Sequence, residues 1–324
     1  MSKKAPGKSH RRGLTLLQIA DMFPTEDKAR EWIESVRWPK GPYCPKCGSF
    51  NVQDDVKHDS MTHRCRDCKG KPFFTLRSGT VMARTKMSYR EWAVGIYLFT
   101  TNIKGVSSMR LHRELGIGQK AAWFMLHRLR YAFEEAPDQF GGPVEIDETH
   151  VGGKRKNKPL AKRKELTGRG PVDMTAVAGA KDRETNRVAA RVVENTDAPT
   201  LKGFVREHVR PGATIYTDEA AAYRGMPEFR HEAVNHSVSE YVRDMISTNG
   251  MESFWAGLKR GQAIYHKMSP KHLDRYVQEF AGRHNARDAD TIDQMTGIVA
   301  GMVGKRLRYR DLIADNGLDS GARS

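Results

Sequence analysis

This sequence has no long apolar run, only four cysteines, and fewer acidic than basic residues. A membrane-spanning helix needs about 18 or more consecutive apolar residues, and no such run occurs. Residues 1–12 lack the apolar centre of a secretory signal, so we expect none. Apolar residues make up 38% of the chain, which is little for one compact globule but enough for a core domain with basic appendages.

The shortage of acids leaves a net charge of +16, with 55 lysines and arginines against 39 aspartates and glutamates. A charge of this size predicts a polyanionic partner. Solubility alone is the simpler explanation, but the basic residues cluster, which favours the partner. With 324 residues, the chain is long enough for two or three modules.

The four cysteines form two close pairs, Cys44 with Cys47 and Cys65 with Cys68, and 17 residues separate the pairs. Two CxxC pairs at this spacing are typical of a zinc ribbon, in which both pairs reach one tetrahedral ion. Four thiolates leave no open coordination position, so the predicted zinc is structural rather than catalytic. Four free thiols are the alternative, and the doubled spacing disfavours it.

The segment 86–133 has apolar residues at helical spacing. Ser88 and Glu91 have the spacing of a capped helix start. The turn Gly116-Ile117-Gly118 separates a helix that ends near Leu115 from the next one, which predicts a helix-turn-helix-like module. We expect its second helix to contact DNA, although many helical hairpins bind nothing. The candidate DNA contacts on that helix are Gln119, Lys120, Arg128 and Arg130.

The pattern after residue 143 alternates between strands and helices, which predicts an α/β domain with a mixed sheet. The loop from Val151 to about Pro171 is rich in basic residues. The predicted strands are Val144–Val151, Met174–Ala180, Arg187–Val193, Thr214–Asp218 and 232–236. The predicted helices are Ala198–Val209, 249–260, 270–284 and Thr291–Lys305.

Three acids occur in an order that suits a metal site. Asp147 lies on the first predicted strand, Asp218 ends a later one, and Glu252 lies on the following helix. Carboxylates that converge at a sheet end hold Mg²⁺ or Mn²⁺, and two such ions can promote phosphoryl transfer. Lys259 lies seven residues after Glu252, on the same helix face, where it can hold a phosphate.

Each of these residues also has a simpler interpretation. Asp147 could be an ordinary strand acid, because Glu145 and Glu148 flank it and compete for the same role. Glu252 and Lys259 could form a solvated helix face. The order and spacing of the set favour the metal site. Phe254 and Trp255 are interpreted as core residues rather than base-stacking groups.

The basic loop directly follows the first acid, so we expect it to run along the DNA backbone near the cut. A solubilising insertion is the alternative. Its candidate DNA contacts are Lys154, Arg155, Lys156, Lys158, Lys162, Arg163 and Lys164.

Four motifs resemble those of bacterial insertion-sequence transposases with a zinc ribbon ahead of a ribonuclease-H-like DDE domain, which are similar to the eukaryotic Merlin elements. The resemblance spans roughly residues 14 to 287 and is most specific in the last motif. The motifs are Ile146-Asp147-Glu148-Thr149 with Gly152-Gly153, Tyr216-Thr217-Asp218, Val234-Asn235-His236-Ser237 with Glu240-Tyr241-Val242, and Thr248-Asn249-Gly250-Met251-Glu252-Ser253-Phe254-Trp255 with Leu258-Lys259-Arg260.

The resemblance implies DNA strand cleavage and strand transfer with two divalent ions, and binding to terminal inverted repeats. Asp147 and Asp218 match the first two catalytic acids. Some members use the Asn of the Thr-Asn pair, here Asn249, as the third ligand; we favour Glu252, whose carboxylate binds Mg²⁺ better than an amide. Arg260 joins the predicted DNA contacts. Ser247 stands where relatives commonly carry His, which removes any role for that His.

The sequence therefore predicts a cytoplasmic, bacterial DDE transposase, acting on DNA as a homodimer or higher oligomer. Two alternatives remain, a DNA-binding regulator with an inactive transposase-derived domain and a structure-specific DNA nuclease. The predicted modules are a basic tail with N-terminal helices (1–37), a zinc ribbon (38–80), a helix-turn-helix-like module (86–136), a ribonuclease-H-like catalytic domain (143–287) and a C-terminal helical tail (288–324).

Overall fold

The computed structural model describes residues 12–58, 60–134, 139–153, 155–167, 170–218, 221–234 and 249–320. They divide into two compact units. The ribbon–helix unit comprises residues 12–134 and 286–314, and the sheet unit comprises residues 139–285 and 315–320.

Eleven α-helices and eight β-strands lie within the described residues. The helices are α1 (Leu16–Met22), α2 (Glu26–Arg37), α3 (Tyr89–Thr101), α4 (Ser108–Leu115), α5 (Gln119–Phe133), α6 (Leu160–Glu165), α7 (Ala198–His208), α8 (Asn249–Tyr265), α9 (Leu273–Asn285), α10 (Thr291–Gly301) and α11 (Tyr309–Ile313). The strands are β1 (Val52–Gln53), β2 (His63–Cys65), β3 (Phe73–Phe74), β4 (Val144–Val151), β5 (Thr175–Asp182), β6 (Val188–Val193), β7 (Thr214–Asp218) and β8 (Arg230–Val234). In the described part of the chain, no helix combines the length and apolar content that crossing a membrane requires.

The helix boundaries of the ribbon–helix unit follow from local chemistry. Ser88 accepts a hydrogen bond from the backbone N–H of Glu91, and the Glu91 carboxylate accepts one from the backbone N–H of Ser88. This reciprocal cap confirms the predicted start of α3. Gly116 ends α4 in the left-handed conformation, with a φ of 66°. Helix α5 begins three residues later, which confirms the predicted helix, turn and helix.

One hydrophobic core joins the ribbon to helices α1 to α5 and α10 of the ribbon–helix unit. Ile33 from α2, Trp92 from α3, Met125 from α5 and Met295 from α10 belong to the same buried cluster, and so does Cys65 of the ribbon. The ribbon itself is a small antiparallel sheet in the order β1-β2-β3. A sheet with two or three residues per strand buries too little apolar surface to be stable alone, so the surrounding helices complete its core.

The sheet unit is built on five strands in the order β6-β5-β4-β7-β8. The strands β4, β5 and β6 pair antiparallel, whereas β7 and β8 join β4 in parallel. The first strand of the unit is therefore central, with the hairpin strands on one side and the parallel strands on the other. This is the mixed α/β, ribonuclease-H-like sheet that the sequence predicts, and the fold-class prediction is confirmed.

The two faces of this sheet have separate cores. Val144 and Ile146 on β4 pack with Phe204 of α7, whereas Val151 packs with α8 and α9. Side chains of a strand alternate between faces, so Asp147 shares the α8 face with Val151. Four of the predicted strands are found with ends shifted by at most two residues. The fifth, 232–236, corresponds to β8 at Arg230–Val234, and its residues 235 and 236 lie outside the described part of the chain. The basic loop differs from the prediction because it contains α6 and a short 3-10 helix at Arg155–Asn157.

Candidate active site

Asp147 and Asp218 are brought together by the pairing of their strands. Strand β7 pairs with β4 in parallel, with Val144 opposite Ile215 and Glu145 opposite Tyr216. Continuing this register by two residues sets Asp218 beside Asp147, on the same face of the sheet. The two predicted metal-binding acids thus lie on neighbouring strands, at the end of β7 where ligands commonly bind in open α/β sheets.

The pKa of Asp147 is raised to about 7, mainly by burial. The negative charges of Glu148 and Asp218 raise it further. Two hydrogen bonds oppose this: Trp255 Nε1 donates to Oδ2 at 2.9 Å, and the backbone N–H of Glu148 donates to Oδ1 at 2.9 Å. Partly buried acids that repel each other form a site in which a bound cation would stabilise the ionised state.

Gly179 allows helix α8 to lie against this part of the sheet. It is directly opposite Asp147 on β5. A Cβ atom at residue 179 would lie 2.4 Å from Met251 Cε and 2.7 Å from the indole ring of Trp255. Only a glycine therefore lets Trp255 reach Asp147. Sequence reasoning missed this residue, and the signal was an isolated glycine inside a predicted strand.

Glu252 and Lys259 are exposed on α8, at positions that flank Trp255. Their helical spacing puts all three residues on one face of the helix. Burial lowers the pKa of His150, which lies three residues beyond Asp147 on β4. The positive charge of Lys259 lowers this pKa further. Lys259 therefore lies within electrostatic reach of the strand that carries the first acid.

The carboxylate of Glu252 does not complete a ligand set with Asp147 and Asp218. Among the described residues, only the four cysteines supply three or more His, Cys, Asp or Glu ligand atoms within 4.8 Å of one another. Asn249 begins α8 and is also exposed. The motif residues 235–248 lie outside the described part of the chain.

Glu145 and Glu148, the two acids that compete with Asp147 in sequence, have other partners. Glu145 accepts hydrogen bonds from Arg183 Nε at 2.8 Å and from the backbone N–H of Met251 at 2.9 Å, which stabilises the first turn of α8. Glu148 accepts a hydrogen bond of 2.6 Å from the hydroxyl of the buried Tyr223. Burial, and then the charge of Asp218, raises the pKa of Glu148 while this hydrogen bond lowers it.

The predicted DNA contacts of the basic loop differ in their surroundings. Arg155, Lys156 and Lys164 are exposed, whereas Lys158 forms an ion pair with Asp173 that balances its charge. Arg163 is half-buried, and its carbonyl oxygen accepts a hydrogen bond from Arg155. Lys154 and the side chain of Lys162 lie outside the described residues. Arg260 is exposed on α8.

The structure buries two of the four predicted DNA contacts of α5. Gln119 and Lys120 are exposed on its first turn, as expected of a DNA-facing surface. Arg128 and Arg130 are only 6% and 1% exposed. Arg128 donates a hydrogen bond to the carbonyl oxygen of Ala83 and lies over the Phe124 ring. Other parts of the unit cover this end of α5, which removes both guanidinium groups from the open surface.

The four cysteines converge as the sequence predicts. Three Sγ–Sγ distances are 3.7 Å for Cys44–Cys68, 3.6 Å for Cys47–Cys65 and 3.5 Å for Cys47–Cys68. Ligands about 2.3 Å from a tetrahedral zinc ion would be about 3.8 Å apart. The cluster thus has the size and the donor set of a structural zinc site.

Comparisons with known proteins match both units. A family model for the ISXO2-like transposase domain matches residues 139–285, and one for a transposase zinc-ribbon domain matches residues 24–71. All four cysteines lie within the second match, and Asp147, Asp218 and Glu252 lie within the first.

Two curated relatives point the same way. An uncharacterized protein in transposable element ISH50 of Halobacterium salinarum is 27% identical over 80% of this chain and 90% of its own length. An uncharacterized transposase-like protein of Haemophilus influenzae is 31% identical over 31% of this chain and 81% of its own length.

Among solved structures, a chain of a simian T-cell lymphotropic virus intasome in complex with PP2A regulatory subunit B56 gamma aligns with 53% of this chain, at 14% identity and a TM-score of 0.29. This chain spans 63% of that one. The family models and the curated relatives agree with the zinc ribbon and the transposase-like motifs. The chain belongs to the ISXO2-like transposase family, with its zinc ribbon and its transposase domain.

Proposed function

We propose that this transposase cuts and joins DNA by metal-assisted phosphoryl transfer at Asp147 and Asp218. The carrying observation is their placement side by side on the parallel strands β4 and β7. Burial raises the pKa of Asp147, and the negative charge of Asp218 adds to this effect. Two acids in this arrangement fit divalent cations, which prefer carboxylate oxygens. When bound, such ions would activate the attacking hydroxyl and stabilise the leaving oxygen.

The residues of the chain have distinct roles in this proposal. Asp147 and Asp218 would hold the two ions, and Trp255 would keep the Asp147 carboxylate oriented and ionised through its hydrogen bond. Lys259 would hold a phosphate of the DNA strand as a point charge. The attack is first by water and then by the freed 3′-hydroxyl, with no covalent bond between DNA and protein.

The third ligand is proposed to be Glu252. It lies on the helix face that contacts Asp147 through Trp255, and its exposed carboxylate could approach the acids when cations draw the charges together. Asn249 is the competitor, three residues earlier. Glu252→Gln should lower cleavage by more than about 100-fold, because changes outside the ligand shell already cost about 10–100-fold. Asn249→Ala should have a smaller effect, and the reverse order would assign Asn249 instead.

The DNA partner is proposed to be the terminal inverted repeats of the element, followed by target DNA. Exposed Arg155, Lys156 and Lys164 of the basic loop would contact backbone phosphates beside the cut. The exposed first turn of α5, with Gln119 and Lys120, would contact DNA from the ribbon–helix unit. Two cleavages at two ends would require a dimer or a larger assembly on the DNA.

The test is a plasmid that carries the element's own ends, incubated with zinc-loaded protein and Mg²⁺ or Mn²⁺. The proposal expects metal-dependent cuts at the ends and joining to a second plasmid. Asp147→Asn and Asp218→Asn should abolish both steps while binding to the ends persists. Joining by Asp147→Asn protein would refute the assignment. Binding without any metal-dependent cutting would favour the inactive regulator, and cutting without preference for the ends would favour the nuclease.

A further inference from the structure

A cavity of about 390 Å³ in the ribbon–helix unit is rich in positive charge. It is formed where the chain after β3 meets α5 and the segment just before and within α11. Five arginines line the cavity: Arg84, Arg128, Arg306, Arg308 and Arg310.

The charge of this cavity is only slightly balanced. Asp311 accepts a hydrogen bond of 2.7 Å from Arg308 and lies 3.7 Å from Arg310. No acidic side chain is among the described residues that line the cavity. Five guanidinium groups beside one carboxylate create a positive potential that attracts an anion. Planar guanidinium groups match the oxygens of a phosphate particularly well.

Arg128 provides a second, independent sign of a ligand. Its side chain is 94% buried, yet its Nε has no hydrogen-bond partner among the described residues. Its Nη2 donates a hydrogen bond of 3.1 Å to the Ala83 carbonyl oxygen. A buried donor of a charged group that lacks an acceptor is unfavourable, because the group has lost its hydration without gaining a partner. An anion in the cavity would supply the acceptor.

Arg84 reaches the cavity from a strained backbone. Its φ is 58°, in the left-handed region that arginine rarely adopts. Glycine would take this conformation without strain. Backbone strain of this kind clusters at ligand-binding sites.

Aromatic rings adjoin the arginines. The rings of Phe124 and Tyr309 both line the cavity and lie 5.4 Å apart, edge to face. Lys120 Nζ, on the exposed first turn of α5, lies 4.4 Å from the Tyr309 ring centroid. Guanidinium groups beside aromatic rings are the combination by which proteins bind single-stranded nucleic acid, with phosphate on the cations and a base against a ring.

We propose that this cavity binds one unpaired nucleotide of the DNA, with its phosphate on the arginines and its base against Phe124 and Tyr309. A concave site accepts a base that has left the stack, whereas the bases of an intact duplex remain inside it. The identity of the nucleic acid as DNA rests on the proposed function. The cavity therefore gives the ribbon–helix unit a contact for an unpaired stretch of the DNA strand.

The test is the double variant Arg84→Gly/Arg306→Gln, made in an Asp147→Asn background so that cleavage cannot affect the result. Arg84→Gly removes a guanidinium group and also relieves the left-handed strain, so folding should not suffer. Arg306 is exposed, and its replacement leaves the core intact. The matched control is Arg30→Gln/Lys40→Gln, which removes two exposed charges that do not line the cavity.

The measurement is fluorescence anisotropy with a labelled single strand of about 12 nucleotides, a length within the range of single-strand sites. A labelled duplex of equal length is measured in parallel, without added Mg²⁺ or Mn²⁺. The cavity variant should bind the single strand at least about 10-fold more weakly, and its salt slope should fall by about 0.7 for each lost phosphate contact. The affinity for the duplex should fall less, and the control variant should bind both DNAs about as tightly as the parent.

An equal loss of affinity for the single strand and the duplex would overturn the proposal that the cavity binds an unpaired nucleotide. Unchanged binding in a variant with an unchanged thermal midpoint would overturn the site altogether. Because binding is measured in an inactive background, a failure of plasmid cleavage would count against the proposed function without touching this result.

Discussion

The indole nitrogen of Trp255 donates a hydrogen bond of 2.9 Å to Oδ2 of Asp147. This bond joins α8 to the central strand of the sheet, between residues 108 positions apart. Burial raises the pKa of Asp147, and the bond from Trp255 lowers it. Trp255 thus favours the ionised carboxylate, which is the form that can hold a divalent cation.

Trp255→Phe should shift the pH profile of strand cleavage to higher pH. The substitution keeps a ring against Gly179 but removes the donor, so the pKa of Asp147 rises above about 7. A hydrogen bond to a charged group contributes about 1.5–3 kcal/mol, so cleavage at pH 7 and limiting Mg²⁺ should fall by about 10-fold or more. The rate should recover as pH increases.

The shape of this profile separates electrostatics from packing. A packing defect would lower the rate by a similar factor at every pH and would respond little to Mg²⁺. Rates measured across the pH range at two Mg²⁺ concentrations distinguish these results. A lower rate with an unmoved profile would contradict the role given to Trp255.

Asp147→Asn should stabilise the metal-free protein at pH 8 while abolishing cleavage. The pKa of the folded carboxyl is about 7, above its ordinary value of 3.8. The folded state therefore keeps the proton more strongly, and the associated stability is lost as pH rises from about 4 to 7. The neutral amide avoids this loss, so the variant should gain about 1–3 kcal/mol above pH 7 after allowance for solvent screening.

Urea unfolding at pH 5 and pH 8, with and without Mg²⁺, checks this expectation. The gain should be smaller at pH 5, and Mg²⁺ should stabilise the parent but not the variant. Asp21→Asn, at an exposed aspartate, is the control and should show neither effect. Stabilisation of the variant by Mg²⁺ equal to that of the parent would argue against cation binding at Asp147.

The sequence predicted the acids that end up side by side, because strand order and alternation determine where a short strand presents its side chains. It did not predict the bond between Trp255 and Asp147, although Trp255 was interpreted correctly as a core residue. The bond depends on the approach of α8 to β5, which Gly179 permits. Such an approach is a property of packing between distant segments, and no local pattern encodes it.

The buried arginines of α5 show the same limit. An amphipathic pattern indicates which face of a helix is polar, but it cannot show which polar residues a later segment will cover. Arg128 and Arg310 line the same cavity, although nearly the whole transposase domain lies between them in sequence. Arg128 and Arg130 are therefore buried in the structure, whereas Gln119 and Lys120 are exposed, and contact with DNA stays a prediction for all four.

Removing zinc should loosen the ribbon–helix unit far more than the sheet unit. Cys44 and Cys65 are 1% exposed and belong to the same core as Trp38 and Phe74. Loss of the ion, or Cys65→Ser, would leave unbalanced sulfur ligands in this core and cost folding energy. The sheet unit has two cores of its own, one of which contains Phe204, so its backbone amides should stay protected from hydrogen exchange.

Hydrogen exchange of the chelated protein checks this prediction, together with a metal assay that should find one zinc ion per chain. Amides of β1 to β3 should exchange faster by more than about 10-fold, which corresponds to about 1.4 kcal/mol of local stability. Equal loss of protection in β4 and β5 would mean that zinc stabilises the whole chain rather than one unit.

Gly179→Ala should reduce both stability and cleavage, because the new Cβ atom meets Met251 and Trp255 at 2.4 and 2.7 Å. Overpacking of this kind costs about 1–3 kcal/mol. Relief requires α8 to move away from the sheet, which would lengthen the bond between Trp255 and Asp147.

The matched control is Gly203→Ala on α7, where a Cβ atom meets nothing within 4 Å. That substitution should raise stability by about 0.5–1 kcal/mol and leave cleavage unchanged. Urea unfolding and plasmid cleavage of both variants provide the comparison. If Gly179→Ala cleaved at the parent's rate, the close approach of α8 to β5 would not be needed for the site.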